Sequence, residues 1–221
     1  MNLIGLDLDG TLEDSRADMV SAVHRVRAGL GLPARPDDAV RPWVNRGMEA
    51  LYRACFDDYI AGVESRLQDV RIRYEGDYFE NAAVETRLYP EMAGALDQLS
   101  QMGCLAVITN KPEKISIRLL EALGVDGHFS AVIGGDTCPK PKPDPVVLQE
   151  AVKRCGLKDG TFKSVMIGDT AADIQLGRAF GAETVWCAWG YSDEPGGNPD
   201  YRARTPSDLP GLVQAVFQTN G

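Results

Sequence analysis

Short apolar runs alternate along this chain with longer stretches in which apolar residues recur every three or four positions. The runs are Leu3–Leu8, Cys104–Thr109, Ser130–Gly135, Ser164–Gly168 and Thr184–Trp189. Most are continuous rather than alternating, the pattern of strands covered on both faces. Between them, Ile115, Leu119, Leu120 and Leu123 form one helical stripe, which Gly124 can end. Val146, Val147, Leu148, Ala151 and Val152 form another, opened by Pro143-Asp144-Pro145. The alternation predicts an α/β fold, a parallel sheet with helices on both sides.

Residues 14–84 break this rhythm and contain no convincing strand. Met19, Val20, Val23, Val26 and Leu30 make a helical stripe, and "RGMEALYRACF" and "YIAGVESRLQDVRIRYEGDYFE" also read as helices. The pattern therefore predicts a discontinuous core of residues 1–13 and 85–221 with a helical domain of residues 14–84 inserted after the first strand. Its linkers fall near Glu13–Ser15 and Val84–Arg87. The stretch Tyr191–Pro206 is rich in Gly, Pro and Asp and reads as loop. A last short helix is expected from about Ser207 to Phe217. No internal repeat or low-complexity tract is seen.

The net charge of −9 over 221 residues argues against nucleic acid or an anionic membrane as partner. A local basic pocket for an anion is compatible with it. The chain opens on a strand-like run without a basic leader, so no signal peptide is expected. No apolar stretch has the length of a membrane span, and a cytoplasmic protein, monomer or homodimer, is the expectation. The five cysteines are scattered and form no C-x-x-C, so reduced thiols are expected. His24 and His128 lie outside every motif and read as surface residues.

Candidate chemistry collects at the predicted strand ends. Asp7 and Asp9 close the first run; residues two apart in a strand share a face, so they can converge there. Such a pair can hold a divalent cation or divide nucleophilic attack from proton transfer, though Asp-Gly is also a common turn. Thr109-Asn110-Lys111 follows the second run and suits an anion or a plain helix cap. Lys142, in "PKPKPDP", could be held over the same crevice by its prolines, with Lys140 as an equally charged neighbour. Asp169 ends the fourth run, and Asp173 is one helical turn further, on the same face. Open parallel sheets place ligands at this edge.

Four of these stretches, "DLDGT", "ITN", "KPDP" and "GDTAAD", resemble the motifs of the haloacid dehalogenase superfamily of phosphohydrolases. The resemblance implies a Rossmann-like doubly wound core with an inserted helical cap domain of type C1. It implies a magnesium-dependent phosphatase acting on a small-molecule phosphomonoester through an aspartyl phosphate. Asp7 would be the nucleophile and Asp9 the general acid/base. Gly10, Thr109, Asn110 and Lys142 would serve the phosphoryl group, with Lys142 stabilising negative charge. Asp7, the Asp9 carbonyl and Asp169 would bind Mg2+, supported by Asp173.

Within that family the chain is most similar to bacterial phosphoglycolate phosphatases. "VRPWVNRGMEALYRACF", "LYPEMAGALDQL", "VITNKP" and the stretch from "VIGGDTCPKPKPDP" to "MIGDTAADIQLGRAFGA" carry the likeness. It implies hydrolysis of 2-phosphoglycolate. Arg46, with Arg41 as a second candidate, is expected to pair with the substrate carboxylate, a task that suits the bidentate guanidinium. Glu13 departs from the apolar residue usual there and is expected to add negative charge near the entrance.

Alternatives are a phosphatase of a sugar phosphate, nucleotide or pyrophosphate, a phosphoglucomutase-like transferase, and a non-hydrolytic phospho-accepting receiver domain. Receivers lack both the Asp-x-Asp and the insert. "GLGLPA" follows a helix and lacks the third glycine of a dinucleotide loop.

Overall fold

The computed structural model describes residues 1–44, 46–158 and 162–218. Asn45, inside one of the stretches quoted above, lies outside them. The described chain forms two compact units, Met1–Asp14 with Leu88–Gly221, and Ser15–Arg87.

The first unit is built on a six-stranded parallel sheet. Its strands are β1 (Asn2–Leu6), β2 (Gly103–Ile108), β3 (Phe129–Ile133), β4 (Ser164–Gly168), β5 (Glu183–Cys187) and β6 (Tyr201–Ala203). The spatial order is β3-β2-β1-β4-β5-β6, the Rossmann-type doubly wound order. β1 lies between β2 and β4, with Leu3 opposite both Cys104 and Ser164. The strand order reverses across β1 and β4, so their carboxyl ends frame the switch-point crevice where such sheets bind ligands.

The apolar runs are continuous because these strands are buried on both faces. Leu3, Ile4 and Leu6 are fully buried, each side chain worth roughly 1.5–3 kcal/mol of transfer free energy. One core layer joins Leu3, Ile108 and Met166 of the sheet to Leu148 and Leu176 of the helices Val146–Arg154 and Ala171–Phe180. A Cβ at Gly5 would lie 3.2 Å from Leu148, so a glycine in β1 lets that helix close on the sheet. Gly124 adopts φ +70° and ends the helix Glu113–Leu123.

The chain departs from the sequence reading in several places. β1 ends at Leu6, before the two aspartates. β6 lies inside the stretch expected to be loop; three residues are too few to show a period. Cys104 and Cys155 form a disulfide, which corrects the expectation of five reduced thiols. They are 51 residues apart and meet only because the helix Val146–Arg154 packs back onto the sheet.

The second unit is helical, led by Arg16–Gly29, Met48–Cys55 and Glu64–Glu80. The helix expected over Tyr59–Glu80 breaks at Ala61 and Gly62, which take φ of 45° and 77°. Tyr74 makes ring contacts with Tyr52 and Tyr78 in its core. The Arg27 guanidinium is buried, bidentate on Asp58 and donating to the Cys55 carbonyl. Asp18 accepts from the N–H groups of Glu85 and Thr86 and from the Thr86 hydroxyl at 2.6–3.0 Å, tying the first helix of the unit to its last residues. Among the described residues no helix is long and apolar enough to cross a membrane.

Candidate active site

The site grows from four strand exits. Asp7 follows β1, buried, with Oδ1 accepting from the Leu8 N–H at 2.8 Å. The chain then turns sharply. Gly10 takes φ +82°, and a Cβ there would stand 2.6 Å from Asp169 Oδ2. The Gly10 N–H donates to the Glu13 carbonyl, and its positive φ lets the chain turn away from the strand. Glu13, where a negative charge near the entrance was expected, is fully buried in this turn.

Thr109 and Asn110 follow β2. Thr109 is buried, and its hydroxyl accepts from the Lys111 N–H at 3.1 Å. Asn110 Oδ1 accepts from the Lys142 N–H at 3.0 Å, joining the second exit to the third. Burial separates the two lysines of "PKPKPDP". Lys140 is exposed and pairs with Asp144. The Lys142 side chain is only 3% exposed, with Nζ 2.6 Å from Asp7 Oδ1 and 2.7 Å from Asp173 Oδ1.

Asp169 follows β4, and Asp173 stands in the first turn of the helix Ala171–Phe180. Asp173 completes a capping box, its Oδ2 accepting from the N–H and hydroxyl of Thr170. Asp169 Oδ2 accepts from the Tyr191 N–H at 2.7 Å and Oδ1 from the Thr11 hydroxyl at 3.3 Å. Asp7, Asp169 and Asp173 each present a carboxylate oxygen, all within 4.8 Å of one another. Asp9 does not join them. Its Oδ1 lies 2.5 Å from Lys111 Nζ.

Burial dominates the electrostatics. It holds the Asp7 carboxyl well above its ordinary range, with Asp173 pushing the same way and Lys142 pulling back. Burial and Asp173 likewise push Asp169 up to about 6, against the Tyr191 N–H. Burial opposes the Lys142 ammonium, but Asp173 and Asp7 outweigh it and raise its pKa. Three close, buried carboxylates with one shared ammonium are short of positive charge. Their hard oxygen donors fit a small divalent cation such as magnesium, which would supply it.

A model of the haloacid dehalogenase-like hydrolases matches residues 4–187. The chain belongs to that family. It is 34% identical over 214 residues to a phosphoglycolate phosphatase of Aquifex aeolicus, covering 96% of this chain and 97% of the relative. A phosphoglycolate phosphatase of Chromobacterium violaceum is 32% identical, with 96% of each chain covered. The crystal structure of a predicted phosphoglycolate phosphatase from Haemophilus somnus superposes with a TM-score of 0.82 at 29% identity, over 97% of this chain and 98% of that one. This hydrolase is a phosphatase with the Rossmann-like core and inserted helical cap of its family.

Sequence reasoning missed part of the hydrolase's site. Lys111 was visible beside Asn110, yet no spacing signal pairs it with Asp9. The end of β5 and the segment after it brace Asp169 and the turn after β1. Trp186 Nε1 donates to the Asp169 carbonyl, and Trp189 Nε1 to the Thr11 carbonyl. A Cβ at Gly190 would come 2.2 Å from Asp169 Cβ, so only glycine fits that crossing. Arg46 belongs to the helical unit, exposed, its guanidinium 5.3 Å from the Trp43 ring centroid. Arg41 is exposed and pairs with Asp37. His24 pairs with Asp37 and His128 with Asp97.

Proposed function

We propose that this hydrolase cleaves a small phosphomonoester, 2-phosphoglycolate to glycolate and phosphate, through a phosphoryl group carried on Asp7. The observation that carries the chemistry is the buried Lys142 ammonium between Asp7 and Asp173, beside Asp169. The substrate rests on the relatives of near-equal length named as phosphoglycolate phosphatases.

An Asp7 carboxylate oxygen attacks phosphorus, and the bond to the leaving oxygen breaks as Asp9 gives that oxygen a proton. Asp9 then takes a proton from water, whose oxygen attacks the same phosphorus. Phosphate leaves and the Asp7 carboxylate is restored. Lys142, the Thr109 hydroxyl and Asn110 hold the phosphoryl oxygens. Asp7, Asp169 and the Asp9 backbone carbonyl would hold magnesium, with Asp173 supporting them. When bound, the cation offsets the repulsion between a carboxylate and a phosphate dianion. Substrate choice belongs to the helical cap, residues 14–84, where Arg46 offers a guanidinium to the glycolate carboxylate. A cytoplasmic enzyme, monomer or homodimer, is part of this reading.

Phosphate release from 2-phosphoglycolate, sugar phosphates, nucleotides and pyrophosphate, with and without magnesium, tests it. Phosphoglycolate should lead in kcat/KM, and Arg46→Ala should raise its KM roughly tenfold, about the worth of one charge-assisted pair. A different leading ester, or an unchanged KM in Arg46→Ala, overturns the substrate assignment.

A further inference from the structure

Lys111 is the charged residue at the site that the reaction above leaves without a task. Its side chain is 1% exposed, and its Nζ is 2.5 Å from Asp9 Oδ1. Its backbone is gripped from both sides: the N–H donates to Thr109 Oγ1, and the carbonyl accepts from the Gly135 N–H at 2.9 Å. Gly135 presses on the same segment; a Cβ there would lie 2.5 Å from the Asn110 carbonyl oxygen. A lysine anchored this firmly and this deeply fixes the carboxylate it meets. That carboxylate is the one absent from the Asp7–Asp169–Asp173 group. A fourth acid in that group would deepen its shortage of positive charge and lose the separate position that proton transfer needs.

We propose that Lys111 is a positioning residue, which draws the Asp9 carboxylate away from the three clustered aspartates and keeps it in place to serve the leaving oxygen. This rests on the phosphatase reading above. Removing Lys111 should therefore harm the esters that need a proton on departure and spare those that do not. The leaving oxygen of an alkyl phosphate must be protonated as the P–O bond breaks, whereas p-nitrophenolate departs unprotonated. The kcat/KM value reads only the steps through that first cleavage.

The experiment compares wild type, Lys111→Met and Lys111→Arg on p-nitrophenyl phosphate and on the best alkyl ester of the panel, in magnesium. Lys111→Met should lose roughly a hundredfold in kcat/KM on the alkyl ester, the scale of one general acid, and less than about threefold on the aryl ester. Lys111→Arg should recover part of the alkyl activity. Retained aryl turnover also shows that the variant is folded. Equal losses on both esters in both variants, or no loss on either, overturn the proposal. Failure of the phosphatase reading would appear separately, as wild-type enzyme releasing phosphate from neither ester.

Discussion

At the residue scale, the site is a problem in buried charge. Asp169 shows it most directly, since burial raises its folded pKa to about 6, against about 3.9 in an unfolded chain. Between those values the folded protein holds a proton that the unfolded chain has lost. Asp169 therefore subtracts stability from the metal-free protein as pH rises through that window, and the cost is complete above it. In chelator, Asp169→Asn should gain stability relative to wild type between about pH 4 and about pH 7 in urea melts. The change in the difference with pH is the readout, because lost hydrogen bonds add only a constant offset. A difference that stays flat or reverses would contradict this account. Asp7, Asp9 and Asp169 were legible in the sequence because they close apolar runs, Asp173 because it follows one helical turn later, and Lys142 only through the motif around it. The Lys111–Asp9 pair and the Tyr191, Trp186 and Trp189 braces were not. They depend on which way a side chain turns beyond a strand, or on segments far apart in the chain.

At the scale of elements, continuous apolar runs foretold five of the six strands of the large sheet, because burial on both faces leaves a mark that survives without neighbours. β6 escaped because its three residues pair only with β5 within a Gly- and Pro-rich stretch. The break at Ala61–Gly62 escaped because the apolar spacing continues across it. The disulfide escaped because strand–helix packing, not spacing, brings Cys104 to Cys155. Asp18 was read only as part of a helix, yet it gathers the N–H groups of Glu85 and Thr86 and the Thr86 hydroxyl at the far end of the helical unit. Asp18→Ala strands these donors, two of them on the fully buried Thr86. It should cost about 2–4 kcal/mol, seen as a lower urea midpoint for the transition that unfolds the helical unit. An unchanged midpoint would mean that water satisfies those donors.

At the scale of the whole molecule, the doubly wound order puts the exits of β1 and β4 side by side at its switch point, flanked by that of β2. Residues separated by more than a hundred positions meet there, which is how Asp7, Lys142, Asp169 and Asp173 come to share one buried cluster. The acidic balance of the chain, −9, describes its surface and says little about this interior, where the deficit of positive charge is local. The central claim is that Asp7 itself carries the phosphoryl group. Rapid acid quench during turnover of p-nitrophenyl phosphate, followed by peptide mass analysis, tests it most directly. The account predicts a phosphoryl adduct on Asp7 that is absent from Asp7→Asn, which should also be inactive. Sustained phosphate release by Asp7→Asn, or an adduct on another residue, would contradict it.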